Sequence, residues 1–545
     1  MTVSLRRRLA ATSLTALLLT LNPAPLESAP KKAVVKKAVV KKAAATKKPA
    51  LAKKSPAAAK KTVGRRPVAR VAVRPAPVRR IIPATTPAAV GVSLEERLAS
   101  LVNGPTSRSS DAGISIVEVA SGRVVAERNP NVPLTPASNM KLFTTAAALD
   151  ILPTDFELIT TVAMRGDVDA TGTLAGDVKV VGRGDATIGS RFHDGDATAV
   201  LQNWAAELQR AGVKTIAGDL IFEYGYMDTE YIHPSWPADQ LLNWYEAPIS
   251  AFSMQEGCVM VRVLPTQPGQ RANVAMEPQN SYLSVQNNCT TGRGYPLVTR
   301  RPGTNNIIIN GGVPPRSGAS EIFITIVNPV HYFANVTKEA FLRSGIRILG
   351  QVRLSNSDDR PDWKTVTEHK TPLAIMIYVI NKKSQNHYAE QLLKVIGAEV
   401  NKKGSWQSGG AAITDWLRKK VGINGQYMQA DGSGMSRFNR ATAGDFTKLL
   451  LYMWKTPHRN DFLSSMPYTG DPDSKFGKRL KNPPYARQVY AKTGYIGGVV
   501  GLSGYVHGQS GKVYAFSFLF NRYHTGVFNV YRLHDEMLKE IVRGG

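Results

Sequence analysis

The 545-residue chain is 43% hydrophobic, enough to build cores for two or three domains, and carries a formal net charge of +28. A charge of that size suggests nucleic acid, but its placement argues against such a partner for the folded part. Residues 31–80 contain eighteen Lys or Arg and no Asp or Glu, which leaves residues 81–545 with a surplus of only eight.

The first segment, "MTVSLRRRLAATSLTALLLTLNPAPLESAP", sets three arginines before a short apolar run and then small residues and prolines. That order predicts a secretory signal peptide over 1–29, and the apolar run is shorter than the roughly 20 residues of a spanning helix. Export implies a periplasmic or cell-envelope location with no membrane helix after cleavage. Residues 30–90, rich in Lys, Arg, Ala and Pro, should form an extended, self-repelling arm. Such an arm is either a spacer or an electrostatic tether to an anionic envelope surface.

Folded sequence begins near "GVSLEERLASLVN", an amphipathic helix, followed by two strands around a Ser-Gly turn in "AGISIVEVASGRVVAERN". Residues 133–150, "PLTPASNMKLFTTAAALD", then predict a helix opened by Pro136. From 160 to 362 short alternating strands with Gly, Asp, Asn and Pro turns predict a β-rich insert. Within it Cys258 and Cys289, exported together, favour one disulfide, with two free thiols as the alternative. Helices dominate from Thr371 onward, strands return at "RQVYAKTGYIGGVVGLSGYV" and "KVYAFSFLFNRY", and the amphipathic "VYRLHDEMLKEIVR" closes the chain.

Three short stretches carry chemistry. Ser138 and Lys141 stand one helical turn apart, close enough to hydrogen-bond, with the hydroxyl near the positive end of the helix dipole. Lysine becomes the base that serine needs if burial and a neighbouring cation make its neutral form accessible. A Ser-x-x-Lys match alone means little, since about two are expected by chance in a chain of this length. Ser384 and Asn386 lie two apart, just before a helix expected to begin around Tyr388; the bland reading is a helix cap with an exposed amide. Lys492, Thr493 and Gly494 sit in a β-branched, aromatic strand, where they offer a cation and a hydroxyl to a carboxylate and room for another backbone; the bland reading is a strand end with a solvated lysine.

The conjunction of S-x-x-K, S-x-N and K-T-G in that order matches serine acyltransferases that act on D-Ala-D-Ala ends or on penicillin. With "DGSGMSRFNRAT", "IAGDLIFE" and "NPVHYFANVTKEAFLRSGIRILG", the chain from about 93 to 545 resembles the DacB-like D-alanyl-D-alanine carboxypeptidase/endopeptidases of the low-molecular-mass penicillin-binding proteins. The resemblance implies an α/β (α+β) fold: a transpeptidase-like catalytic domain, an antiparallel sheet flanked by helices, from 91–159 and 363–545, with one or two β-rich accessory domains in 160–362. It implies Ser138 as nucleophile, Lys141 as base and Ser384 as proton shuttle. Asn386, Lys492, Thr493 and Gly494 would bind substrate, and the backbone N–H groups of Ser138 and Tyr495 the oxyanion. Peptidoglycan stem peptides ending in D-Ala-D-Ala are the implied substrate, β-lactams the covalent inhibitors, and no metal or cofactor is implied.

Two positions depart from the pattern. Tyr495 stands where relatives carry Thr or Ser, and its ring could narrow the pocket; Gln255–Gly257 stand where asparagines are frequent. Asp431, Ser433 and Arg437 are expected to hold a Gly-rich turn more than to bind the peptide stem. A β-lactamase is the rival enzyme, disfavoured because no E-x-x-L-N loop is evident, and an exported, non-catalytic wall-binding protein is the non-enzymatic rival.

Overall fold

The computed structural model describes residues 92–301 and 303–545. The expected signal peptide and basic arm lie outside the described residues.

The two ends of the chain build one sheet. Its strand order is Val489–Ile496, Val499–His507, Val513–Asn521, Asp111–Glu118 and Val124–Arg128, all antiparallel, and Ile114 stands opposite Phe518. The strands Asp111–Glu118 and Val513–Asn521 are buried along almost their whole length, which is why they read as near-continuous apolar runs. One face is covered by the helices Leu94–Val102 and Val527–Gly544, through Leu98, Ile114, Phe516, Leu538 and Ile541. The other face packs on the helical part, where Leu142, Phe143, Phe446, Leu450 and Leu519 share one core.

At the centre of that helical part runs Lys141–Ile151, whose residues from Lys141 to Leu149 are all buried. Its Ala-rich sequence follows from this: a helix enclosed on every side cannot be amphipathic. The predicted start is refined, because Ala137–Met140 form a 3₁₀ turn and the α-helix proper begins at Lys141. The second expected helix runs Asn386–Asn401, two residues earlier than Tyr388, so the Asn386 amide belongs to its first turn.

Between these parts, Glu157–Arg165 and Lys364–Pro372 pair antiparallel at the edge of a five-stranded sheet with Asp177–Val181, Leu220–Glu223 and Val352–Ser355. The expected boundaries at 159/160 and 362/363 lie within or beside this paired stretch. Helices Ala199–Arg210 and Pro329–Arg343 cover the sheet through Trp204, Phe222 and Phe333. The first of these helices was not anticipated, although "AVLQNWAAELQR" buries Val200, Leu201, Trp204, Ala205 and Leu208 at helical spacing. Two three-stranded sheets and a four-stranded sheet complete the region. The favoured disulfide does not form: Cys258 and Cys289 are both free, buried thiols, and Cys289 Sγ donates to the Thr290 carbonyl at 3.9 Å.

Candidate active site

The three sequence stretches converge. Lys141 is fully buried, and its Nζ donates to Asn386 Oδ1 at 2.7 Å, to the Ser433 carbonyl at 2.7 Å and to Ser138 Oγ at 3.1 Å. Two of the three acceptors cannot give a proton back: one is an amide oxygen and the other a main-chain carbonyl. The third direction faces the one hydroxyl, so the Lys141–Ser138 line is where a proton can be exchanged. Burial pulls Lys141 down from 10.5 to about 7, against the opposing negative charges of Glu390 and Asp431.

A second lysine lies beside the first. Lys492 Nζ donates to Ser384 Oγ at 2.7 Å and to the Thr493 carbonyl at 2.9 Å. It is fully buried, not solvated, and burial followed by the Lys141 charge lowers its pKa well below the ordinary lysine value. The hydroxyl-bearing residues Ser138, Ser384 and Thr493 are only half-buried. A ligand can thus reach the three hydroxyls, behind which the two amines lie.

Asn386 is buried rather than exposed, and its orientation is fixed from the insert side: Nδ2 donates to the Tyr245 carbonyl at 2.9 Å, which leaves Oδ1 facing Lys141. Ser384 sits at φ +57°, an uncommon conformation for a residue with a side chain. The turn that carries Ser138 is pinned to the sheet by buried Asn139, whose Nδ2 donates to Ser503 Oγ at 2.7 Å. Gly494 makes this approach possible, since a Cβ there would lie 2.8 Å from the Pro136 carbonyl and 3.0 Å from Asn139 Oδ1.

The D-G-S-G-M-S-R block does what was expected of it and one thing more. Asp431 is buried and holds the turn, accepting from the N–H groups of Gly434 at 2.8 Å and Ser436 at 2.5 Å and from Trp236 Nε1 at 3.0 Å. The turn in turn delivers the Ser433 carbonyl to Lys141. Glu390 supports it from below, accepting from the N–H groups of Gly432 at 2.8 Å and Ser433 at 2.7 Å and from Trp406 Nε1 at 2.8 Å. Burial, then the Asp431 charge, raises Glu390 to about 7. Arg437 is exposed and bridges to the Gly497 carbonyl at 2.8 Å.

Tyr495 follows the K-T-G strand segment as expected, but its ring is 58% exposed and its phenol lies close enough to Tyr523 and Tyr531 to help raise their pKa values. Sequence reasoning missed Glu390, Asn139 and the carbonyls of Ser433 and Tyr245. Only Glu390 left a signal, as the one acid in the first ten residues of "NHYAEQLLKVIG", a helix buried from Asn386 to Ala398.

The model of the D-Ala-D-Ala carboxypeptidase 3 (S13) family matches residues 94–537. The chain belongs to this family. The chain is similar to a D-alanyl-D-alanine carboxypeptidase of Actinomadura sp. (strain R39), 31% identical over 449 residues, 79% of this chain and 81% of that one. D-alanyl-D-alanine carboxypeptidase DacB of Haemophilus influenzae is 24% identical over 430 residues, 76% of this chain and 86% of its own. The crystal structure of penicillin-binding protein 4 (dacB) from H. influenzae shares the fold, with TM-score 0.71 at 22% identity over 82% of this chain and 99% of that one. The same protein is also solved complexed with a β-lactam, at TM-score 0.67 and 23% identity over the same shares. The S13 chain is thus a serine-peptidase-type hydrolase of the D-Ala-D-Ala carboxypeptidase kind, on the expected mixed α/β fold.

Proposed function

We propose that this S13 protein cleaves D-Ala-D-Ala ends, or cross-links made from them, in peptidoglycan stem peptides through an acyl-enzyme on Ser138, and that penicillins acylate the same hydroxyl. The observation that carries the reading is the buried Lys141, drawn down to about 7 and held by two fixed acceptors so that its remaining direction faces Ser138 Oγ.

The reaction follows from that arrangement. Neutral Lys141 takes the Ser138 proton as Oγ bonds to the carbonyl carbon between the two D-alanines. The backbone N–H groups of Ser138 and Tyr495 hold the resulting oxyanion, in the field of the Lys141 ammonium that the proton transfer creates. The C–N bond then breaks, and the departing amine takes a proton through Ser384, whose Oγ is held by Lys492 Nζ. Thr493 and Lys492 receive the terminal carboxylate, Asn386 the substrate amide. Water adds to the ester carbonyl, gives its proton to the same base, and Ser138 leaves protonated. We place the catalytic domain in 91–159 and 363–545 with 160–362 as accessory insert, and the protein in the cell envelope, on the strength of its signal-like leader and basic arm.

Incubation of the purified protein with fluorescent penicillin should give a covalent band that Ser138→Ala abolishes while circular dichroism is unchanged. A correctly folded wild type that takes no label would overturn the reading.

A further inference from the structure

A cavity of about 610 Å³ lies behind the Ser384–Asn386 segment, between the insert and the helical part. Its size is that of a small-molecule site. From the insert come Arg191, Trp244, Glu256 and Phe323; from the helical part come Gln385 and Tyr388. The turn that supplies Glu256 is unusual, with Gln255, Glu256 and Gly257 all at positive φ. Backbone of this kind persists only where its surroundings enforce it. Here Gln255 is locked, exchanging hydrogen bonds with the Ser190 N–H at 2.7 Å and Ser190 Oγ at 2.8 Å.

The charges in the cavity answer one another. Glu256 accepts from Arg191 Nε through one oxygen and from Gln385 Nε2 through the other, and Lys383 donates to the Asp473 carbonyl. What remains unmatched is neutral. Gln385 Oε1 has no hydrogen-bond partner although the residue is 5% exposed, and the fully buried Tyr388 hydroxyl has the Arg191 guanidinium as its polar neighbour. Buried polar atoms left without partners are uncommon and point to a missing partner. At the mouth, two large aromatic rings stay in water, Trp244 at 47% and Phe323 at 42% exposure.

A flat aromatic face suits a ligand with an apolar C–H face, and an amide oxygen with a phenol suits hydroxyls and an amide N–H. A carboxylate or ammonium finds Arg191 and Glu256 already neutralising each other. We propose that this cavity is a saccharide site that takes a neutral N-acetylated pyranose, packed against both Trp244 and Phe323 and with its hydroxyl or acetamido N–H on Gln385 Oε1. The site is separate from the acylation chemistry, and its natural source is a glycan strand, whose binding would bring attached peptides to the same molecule. Because Gln385 stands between Ser384 and Asn386, an occupant would also brace that segment from behind.

The test uses the full chain, before and after acylation with penicillin, titrated with the neutral disaccharide of N-acetylglucosamine by saturation-transfer NMR and calorimetry. Saturable binding is expected in both states, since penicillin occupies only the catalytic cleft. Trp244→Ala and Phe323→Ala should each weaken it by about tenfold, the loss of one aromatic contact. Both variants should keep a penicillin-labelling rate within about twofold of wild type, as neither side chain belongs to the reacting cleft. No saturable binding, binding unchanged in both folded variants, or preference for a sugar-free D-Ala-D-Ala peptide at this cavity would each overturn the proposal. Failure of penicillin to label the protein would instead count against Ser138 as nucleophile and leave the sugar titration readable.

Discussion

The buried lysine makes a quantitative demand on the pH dependence of acylation. An ordinary lysine at 10.5 would be neutral in about one molecule in 3,000 at pH 7, whereas one drawn down to about 7 is neutral in about half. Under the proposed mechanism the base is therefore present in a roughly thousandfold larger population, before any contribution from alignment. The sign is fixed by which form reacts. Neutral Lys141 accepts the Ser138 proton, so the second-order rate of acylation by a chromogenic β-lactam should rise about tenfold per pH unit below 7 and flatten above it. Stopped-flow measurement from pH 5.5 to 9.5, with circular dichroism at each pH to confirm the fold, gives the profile. Lys141→Arg, which cannot lose its proton, should remove the rise and lower the plateau by about two to four powers of ten. A limb that keeps climbing toward pH 10, or a wild-type rate independent of pH, would refute the assignment of Lys141 as base. A profile centred near 7 that survives Lys141→Arg in a folded protein would move the titrating group elsewhere.

Two further outcomes are expected. Gly434→Ala places a Cβ 1.9 Å from the Ala137 carbonyl at φ +87°, so thermal unfolding should show a loss of about 2–4 kcal/mol, and penicillin labelling should slow because the Ser138 turn must move. Deleting residues 31–80 should leave turnover of a small D-Ala-D-Ala peptide intact while abolishing the salt-sensitive part of binding to cell-wall sacculi, measured by co-sedimentation; equal binding with and without the arm would make it a spacer.

Ser138, Lys141, Ser384, Asn386 and Lys492 were legible because each is a side-chain type at a fixed local spacing, and spacing survives in sequence. Burial was not: the same letters describe a solvated Lys492 and the fully buried one observed, and only the sheet and the nucleophile turn on either side decide between them. The Ser433 and Tyr245 carbonyls left no trace, since every residue has one. What can be read is the reason such a carbonyl gets there, in the Gly434 that lets the block pass the Ala137 carbonyl. The Ala199–Arg210 helix was hidden among strand signals on both sides, and the cysteine count could not tell two packed thiols from a bridge.

The insert is more than an accessory to the chemistry. Its Tyr245 carbonyl fixes the Asn386 amide, its Glu256 holds Gln385, and its Trp236 donates to the Asp431 that shapes the Ser433 turn. Two of the three acceptors around Lys141 are therefore oriented through groups that the catalytic segments do not themselves supply. An Asn386 amide free to flip would present Nδ2 to Lys141, replacing an acceptor with a donor beside a buried amine. That single reversal would leave one lysine N–H unmatched and push the amine further toward its neutral form, while loosening the direction in which its lone pair points. Holding Asn386 from the insert side keeps both the proton affinity and the aim of the base, which explains why a region contributing no side chain to the reacting atoms still packs against the middle of the S-x-N segment.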